Sequence, residues 1–327
     1  MPAQALDPAV QETIARRLAA GESAAAVARD LGIDRGTVRR YSGRGGLSSR
    51  TPVPYPMPKI APSLPEPAPE AGGPSLPDPV SAEFTPYEAC DPGAWGVLSD
   101  AHIPFHDLPT IRGWVADCKR MGVVGLILNG DTLDCHLISS HLKDPSAPRM
   151  KSEIEKGRQF LEYLRSEFPR ARIVFKEGNH DDRLRRFLAD RAPELYDLDE
   201  LHLPALLRAA QLGVEWVADK RVVKVGKLPV LHGHEYQGGG GVMPARWLFL
   251  RTGDSALCGH FHQPSSYTFR TVNGREVGVW STGCACYLSP AYRPLNQWGH
   301  GWAVVEVAAD RGYHVHNRRL LKNGQVT

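Results

Sequence analysis

Ala94-Trp95-Gly96-Val97-Leu98-Ser99-Asp100-Ala101-His102 is the stretch on which the fold turns. A short apolar run, long enough for one buried strand, ends in two polar side chains able to bind a metal. The same design recurs. Gly125-Leu126-Ile127-Leu128-Asn129-Gly130 leads to Asp131, and the run 173–176 leads to Gly178-Asn179-His180-Asp181. Leu228-Pro229-Val230-Leu231 leads to His232, and the run 256–258 leads to Gly259-His260-Phe261-His262. Between the first three runs lie 108–121 and 150–168, both amphipathic at helical period. That is a βαβ rhythm, so the first strands are expected to be parallel. Polar residues then gather where strands end, which is where open α/β sheets place their sites. Period-two alternation would point Asp100 and His102 to one side.

Beyond residue 213 the pattern becomes strand-rich. The segments 214–217, 221–225, 230–231, 256–258, 267–272, 277–281, 302–307 and 313–317 read as strands. Asn273-Gly274 is a hairpin-turn signal, and Ala309-Asp310-Arg311-Gly312 is a second turn. Two facing sheets with helices outside accommodate all of these segments.

The chain has 327 residues, 42% hydrophobic and 23% charged, with a net charge of +3. This is the make-up of a soluble globular protein of about two domains. No apolar stretch approaches the roughly 18–20 residues that span a bilayer, and Met1-Pro2-Ala3-Gln4 lacks the pattern of a secretion signal. A cytosolic location and no membrane partner are the expectations. The six cysteines include no C-x-x-C pair, which suits structural thiols in a reducing compartment.

Residues 43–85 hold eleven of the 27 prolines, from Pro52 to Pro79. Such alternation cannot form a helix or a central strand, so 46–85 is expected to be a semi-rigid, largely disordered tether. Upstream, 10–18 is apolar at helical spacing, and Ser23 is placed to cap a second helix. In the following stretch Ala28, Gly32 and Val38 stand at the spacing of a helix-turn-helix, with Val27, Leu31, Ile33 and Val38 as its small core. Arg35, Thr37, Arg39 and Arg40 would then lie on the helix that enters a DNA major groove. The pattern resembles the DNA-binding domains of resolvases and transposases. Domains are expected at 1–45, 46–85 and 86–327.

Asp100, His102, Asp131, Asn179, His232, His260 and His262 supply two carboxylates, one amide and four imidazoles. That set suffices for two divalent cations sharing one carboxylate, an arrangement suited to attack on phosphate esters. Without a thiolate it suits Mn²⁺, Fe or Zn²⁺. The blocks Asp100-Ala101-His102, Gly130-Asp131, Gly178-Asn179-His180-Asp181, His232-Gly233 and Gly259-His260-Phe261-His262 resemble, in order, the signatures of the calcineurin-like metallophosphoesterase superfamily. The tail Tyr292–Gly301 resembles its bacteriophage and prophage members more loosely, which would place the protein in host cytoplasm.

The resemblance implies a four-layer αββα sandwich. It implies that Asp100, His102 and His262 bind one metal, that Asn179, His232 and His260 bind the other, and that Asp131 bridges them, with Mn²⁺ favoured. His180 would contact the phosphate and protonate the leaving oxygen, and Asp181 would orient His180 or raise its pKa. Arg183 and His234 are candidates for substrate contact, and Trp298 for core packing. A DNA-binding head and a phosphoesterase body imply the same polymer, so a nuclease-like phosphodiesterase is the expectation. A phosphomonoesterase, or a DNA-binding regulator with a phosphoesterase scaffold, are the alternatives. The oligomeric state is left open.

Overall fold

The computed structural model describes residues 6–41, 84–140, 143–218, 220–290 and 292–327. It divides into two units, Met1–Pro79 and Val80–Thr327. The proline-rich segment expected as a tether lies almost wholly outside the described residues.

Among its described residues the first unit has three helices, α1 (Pro8–Ala19), α2 (Ala24–Asp30) and α3 (Arg35–Tyr41). Asp7 caps α1 through the N–H of Ala9, and Ser23 caps α2 through the N–H of Ala26. Between α2 and α3 the chain turns at Gly32, whose φ of +65° is the left-handed conformation glycine adopts without steric cost. Ile14, Val27, Ala28 and Val38 are buried together, with Leu31 and Ile33 packed against them. Arg35 is exposed and Thr37 half-buried on α3. The side chains of Arg39 and Arg40 lie outside the described residues.

The second unit begins with β1 (Tyr87–Ala89), β2 (Gly93–Leu98), α4 (Leu108–Met121), β3 (Gly125–Asn129), α5 (Met150–Glu167) and β4 (Arg172–Lys176). There follow α6 (Arg183–Arg191), α7 (Leu203–Leu206), β5 (Val214–Val217), β6 (Val223–Val225), β7 (Leu228–Leu231), α8 (Pro244–Thr252) and β8 (Ala256–Cys258). The chain closes with β9 (Ser265–Arg270), β10 (Glu276–Ser281), β11 (Gly301–Val307) and β12 (Tyr313–Arg319). One six-stranded sheet has the order β12-β11-β2-β3-β4-β5, the other β1-β6-β7-β8-β10-β9. From β2 to β5 the first sheet is parallel, as the βαβ rhythm requires; β11 and β12 extend it antiparallel.

Period-two burial sorts the side chains into layers. Trp95, Val97, Ile127 and Val174 meet Val223, Val225, Val230 and Leu257 of the other sheet in a core between the sheets. On the far face of the first sheet, Leu126, Leu128, Ile173 and Phe175 pack against Ile111 and Trp114 of α4 and Phe160 and Leu161 of α5. On the far face of the second sheet, Val277 and Val279 pack against Ala245 and Leu248 of α8. The order of layers is therefore helix, sheet, sheet, helix. Apolar burial of this extent, at roughly 25 cal/mol per Å², is the main stabilising term.

Sequence signals placed α4 and α5 well: Asp107 caps α4 through the N–H of Thr110, and left-handed Gly122 ends it. They missed β1, α6, α7 and α8. Of the nine α6 residues only Leu188 is buried; Leu184, Phe187 and Leu188 stand at helical spacing, but that stripe spans little more than one turn among four arginines. The hairpin at Asn273-Gly274 exists, but as a five-residue loop, 271–275, in which only Gly274 (φ +78°) is left-handed. Among the described residues no helix is long and apolar enough to cross a membrane.

Glu153, buried on α5, accepts the N–H of Cys135. Burial, reinforced by Asp134, pushes its carboxyl from the ordinary 4.5 up to about 7. Folding thus favours the protonated form, and that contribution is full below pH 4.5 and lost as pH rises through 7. Glu153→Gln keeps a neutral acceptor at every pH. In urea unfolding the variant should match the native chain near pH 4.5 and exceed it by about 2–3 kcal/mol at pH 8. A pH-independent difference would contradict this account.

Candidate metal centre

The carboxyl ends of β2, β3 and β4 in one sheet face those of β7 and β8 in the other, and every expected ligand sits just past one of them. Backbone bonds lace the loops together. The N–H groups of Asp100 and His102 reach the carbonyls of Gly130 and Asp131 at 3.0 and 2.9 Å, and that of Gly259 reaches His232 at 2.9 Å. Asn129 ties the two sheets, donating to the Leu231 carbonyl at 2.7 Å. Gly130 and Gly178 are required by proximity: a Cβ on the first would strike the His232 ring, and on the second the Asp131 carboxylate.

Asp100 and His102 do not reach the centre by strand alternation, as the sequence suggested. Both stand beyond β2 in the left-handed region, with φ of 58° and 47°. Asp131 (52°), His260 (67°) and His262 (60°) share that conformation. It is sparsely populated outside glycine, though Asp, Asn and His tolerate it best. It turns each side chain back across the strand end.

Each carboxylate has one oxygen fixed and one aimed inward. Asp100 Oδ2 accepts the N–H of His260 at 2.8 Å, and its Oδ1 lies 3.1 Å from His262 Nε2 and 3.9 Å from His102 Nε2. Asp131 Oδ1 accepts the N–H of His180 at 2.8 Å. Its Oδ2 lies 3.2 Å from His232 Nε2 and 3.8 Å from the Nε2 atoms of both His102 and His180. His260 Nδ1 is 3.3 Å from His232 Nε2. Donor atoms thus converge in overlapping groups, His102–Asp131–His180 and Asp131–His232–His260 among them, each within 4.8 Å.

The donor set fits divalent cations. His102 Nε2 and Asn179 Oδ1 are buried with no hydrogen-bond partner among the described residues. Left empty-handed, such atoms carry the full desolvation cost. The far nitrogens are held: His102 Nδ1 by Asp134 Oδ1 at 2.8 Å, His232 Nδ1 by the Asn129 carbonyl at 2.8 Å. Support of this kind fixes ring orientation and directs the other nitrogen at a metal. Without metal, protons replace it in part. Burial disfavours charge on His232 and His262, but Asp131 and Asp100 outweigh it and raise them to about 9 and 10. Burial and the neighbouring His232 lower His260 to about 4.

Asp181 does something other than expected. Its carboxylate turns away from the His180 ring and accepts the N–H groups of Leu133 and Gly178 at 2.9 Å and of Thr132 at 3.3 Å, bracing two ligand loops. Burial, then Asp131, raises it to about 7. Asp134, which sequence reasoning missed, takes the place expected of Asp181: its carbonyl accepts from His180 Nδ1 at 2.9 Å and its carboxylate lies 3.2 Å from the same atom. Arg183 reaches the Asp134 carbonyl at 2.7 Å and His180 Nε2 at 3.0 Å. His180 is lowered, mainly by burial, below its ordinary value of 6.5. His234 lies at the rim, its ring 5.3 Å from that of His232. Trp298 is not a core residue; half-buried, it leans on the His262 ring at 4.1 Å. Cys286 Sγ lies 3.6 Å from His262 Nδ1, a neighbour no sequence signal indicated.

Beneath the site Lys176, fully buried on β4, pairs with Glu235 at 2.8 Å. Glu235 also accepts the N–H groups of His232 and Gly233 at 2.9 and 2.6 Å. Removing one partner of a buried pair leaves an uncompensated charge, so Lys176→Met should destabilise the fold by about 3–5 kcal/mol. Lys176→Met with Glu235→Gln should recover part of that loss in urea unfolding. An additive double variant would argue that the two side chains do not act as a pair. In metal analysis of dialysed protein, Asp131→Asn should lose most of the bound divalent cation; unchanged content would remove Asp131 from the centre.

No family model matches the chain, and no curated protein matches it. Several solved structures do. A Vps29 variant from Entamoeba histolytica is 12% identical, covering 72% of this chain and 96% of its own, with a TM-score of 0.39. The E. coli phosphoesterase Yfce is 15% identical, covering 68% and 98%, with a TM-score of 0.31. A dimetal phosphatase from Danio rerio is 11% identical, covering 70% and 97%, with a TM-score of 0.33.

Proposed function

We propose that the second unit is a two-metal phosphoesterase of the calcineurin-like metallophosphoesterase type, cleaving phosphodiester bonds in nucleic acid. The observation that carries this reading is the convergence of four imidazoles on two carboxylates, each with one oxygen pinned by a backbone N–H. Asp100, His102 and His262 would hold one cation, Asn179, His232 and His260 the other, and Asp131 both. Mn²⁺ is the proposed metal. When bound, such a pair supplies polarisation of a phosphoryl oxygen and acidification of water.

The chain's own residues supply the rest. His180 donates through Nδ1 to the Asp134 carbonyl, which leaves Nε2 facing Arg183. A phosphoryl group entering here takes up the Arg183 N–H groups, and its negative charge favours a proton on His180 Nε2. That nitrogen then hands the proton to the leaving oxygen. Asp134 keeps both His102 and His180 in register, so it is a positioning residue.

The first unit is proposed as a DNA-binding head, with Arg35, Thr37, Arg39 and Arg40 on the helix that meets the groove. Joined to the catalytic unit by the proline-rich segment, it raises the local concentration of substrate. With Mn²⁺, bis-p-nitrophenyl phosphate should be hydrolysed faster than the monoester, and His180→Ala should lower kcat by about 10²–10⁴-fold. Preference for the monoester would favour a phosphomonoesterase. Unchanged turnover in both His180→Ala and Asp131→Asn would leave a scaffold. Residues 1–45 should carry duplex affinity that falls steeply with salt; equal binding by a chain lacking them would remove the head from the account.

A further inference from the structure

A cleft of about 580 Å³ opens beside the metal centre and shares His102 and Asp134 with it. Whatever fills it sits next to the group under attack. Its size falls in the usual range for ligand pockets, roughly 300–1,000 Å³. Its walls are aromatic. Phe105, Tyr287 and Tyr292 line it with 42%, 62% and 73% of their surface exposed, and Trp298 continues the lining down to His262. Tyr292 stands edge-on to Trp298 at 6.4 Å. Two of the rings are firmly anchored. The Tyr287 N–H bonds the Phe105 carbonyl at 2.8 Å, the Ala285 N–H the Asp100 carbonyl at 3.1 Å, and the Asp107 N–H the Ala285 carbonyl at 2.8 Å. Phe105 and Tyr287 are thereby laced to the same loop that carries two metal ligands.

We propose that this cleft stacks an unpaired nucleobase flanking the scissile phosphate, so that cleavage falls on a single-stranded stretch of the nucleic acid that the first unit holds, and not on its paired part. The inference rests on the phosphodiesterase reading above. Flat rings open to solvent suit the π-face of any base and give sequence-tolerant affinity. A lipid tail would ask for deep aliphatic walls, and the apolar lining here is rings, prolines, one alanine and Cys286. Bases inside a duplex already stack on one another and cannot reach these rings. Lys143 stands in the lining as a cation able to meet a neighbouring phosphate, while Asp144 beside it is turned onto Ser146, accepting its N–H and hydroxyl at 2.8 and 2.6 Å. Tyr287 and Tyr292 are therefore specificity residues, distinct from the metal ligands and from His180.

The test uses the full chain in a His180→Ala background with Mn²⁺, where cleavage is slow. Fluorescence anisotropy compares a short oligothymidylate with the same sugar-phosphate backbone carrying abasic residues. The base-bearing strand should bind about 5- to 100-fold more tightly. Tyr292→Ala should shrink that ratio toward one, and Tyr292→Phe, which keeps the ring, should preserve it. Equal affinity for the two strands would overturn the proposal. So would a Tyr292→Ala variant that weakens duplex as much as single strand, or a phosphotyrosine peptide that outcompetes the base-bearing strand in a Tyr292-dependent way. Absence of hydrolysis by the native chain on any phosphate ester would contradict the phosphoesterase reading instead; the ratio of affinities still decides the cleft.

Discussion

The Asp131 carboxylate is the constraint around which the second unit is arranged. One oxygen is bound by the His180 N–H, and the other faces imidazole nitrogens from the ends of β2, β4 and β7. A buried carboxylate with so many donors aimed at one oxygen calls for cations in the gap between them. Burial alone would raise its pKa, yet the surrounding histidines hold it well below the ordinary carboxylate value. Charge of one sign has been placed where only charge of the other makes the arrangement stable. The left-handed backbone at Asp100, His102, Asp131, His260 and His262 follows from the need to bring all these atoms to one point. Strain of that kind is tolerated when the surroundings over-determine it.

The surroundings do so from both sheets. Asn129 bridges β3 to β7, Glu235 holds the His232 loop while paired with Lys176 of the opposite sheet, and Asp181 braces the Asp131 and Asn179 loops. Apart from Asn129 Oδ1, which has no hydrogen-bond partner among the described residues, these buried polar groups are bonded, and bonded networks rigidify rather than weaken a core. The four layers matter to function for this reason. Two sheets meeting face to face put five strand ends opposite one another, and no single sheet offers that geometry. The aromatic cleft extends the same logic outward, since two of its rings, Phe105 and Tyr287, are laced to the ligand loop.

Much of this was legible in the sequence because strands and ligands leave local signals. Apolar runs ending in Asp, Asn or His marked β2, β3, β4, β7 and β8, and the ligand types followed from chemistry. The amphipathic period of α4 and α5 marked those helices within a residue. What was not legible depends on pairing across space. Asp134 stands only three residues beyond Asp131, but nothing local says that its carboxylate meets His102 and its carbonyl His180. Lys176 reads as the polar end of a strand until Glu235 is found against it. Asp181 looked like a partner for its neighbour His180, but chain adjacency does not fix side-chain direction in a turn. Alternation put Asp100 and His102 on the right side for the wrong reason, since the strand had already ended. The helix α6 holds Leu184, Phe187 and Leu188 at helical spacing, but within little more than one turn and among four arginines, too short a stripe to stand out.

The central claim is that two divalent cations share Asp131. Crystals of the full chain grown with Mn²⁺, measured at the manganese absorption edge, test it directly. The account predicts two anomalous peaks about 3.5–4 Å apart with the Asp131 carboxylate between them, one peak beside His102 and His262 and the other beside His232 and His260. A centre without peaks under saturating metal, or peaks away from these residues, would contradict it.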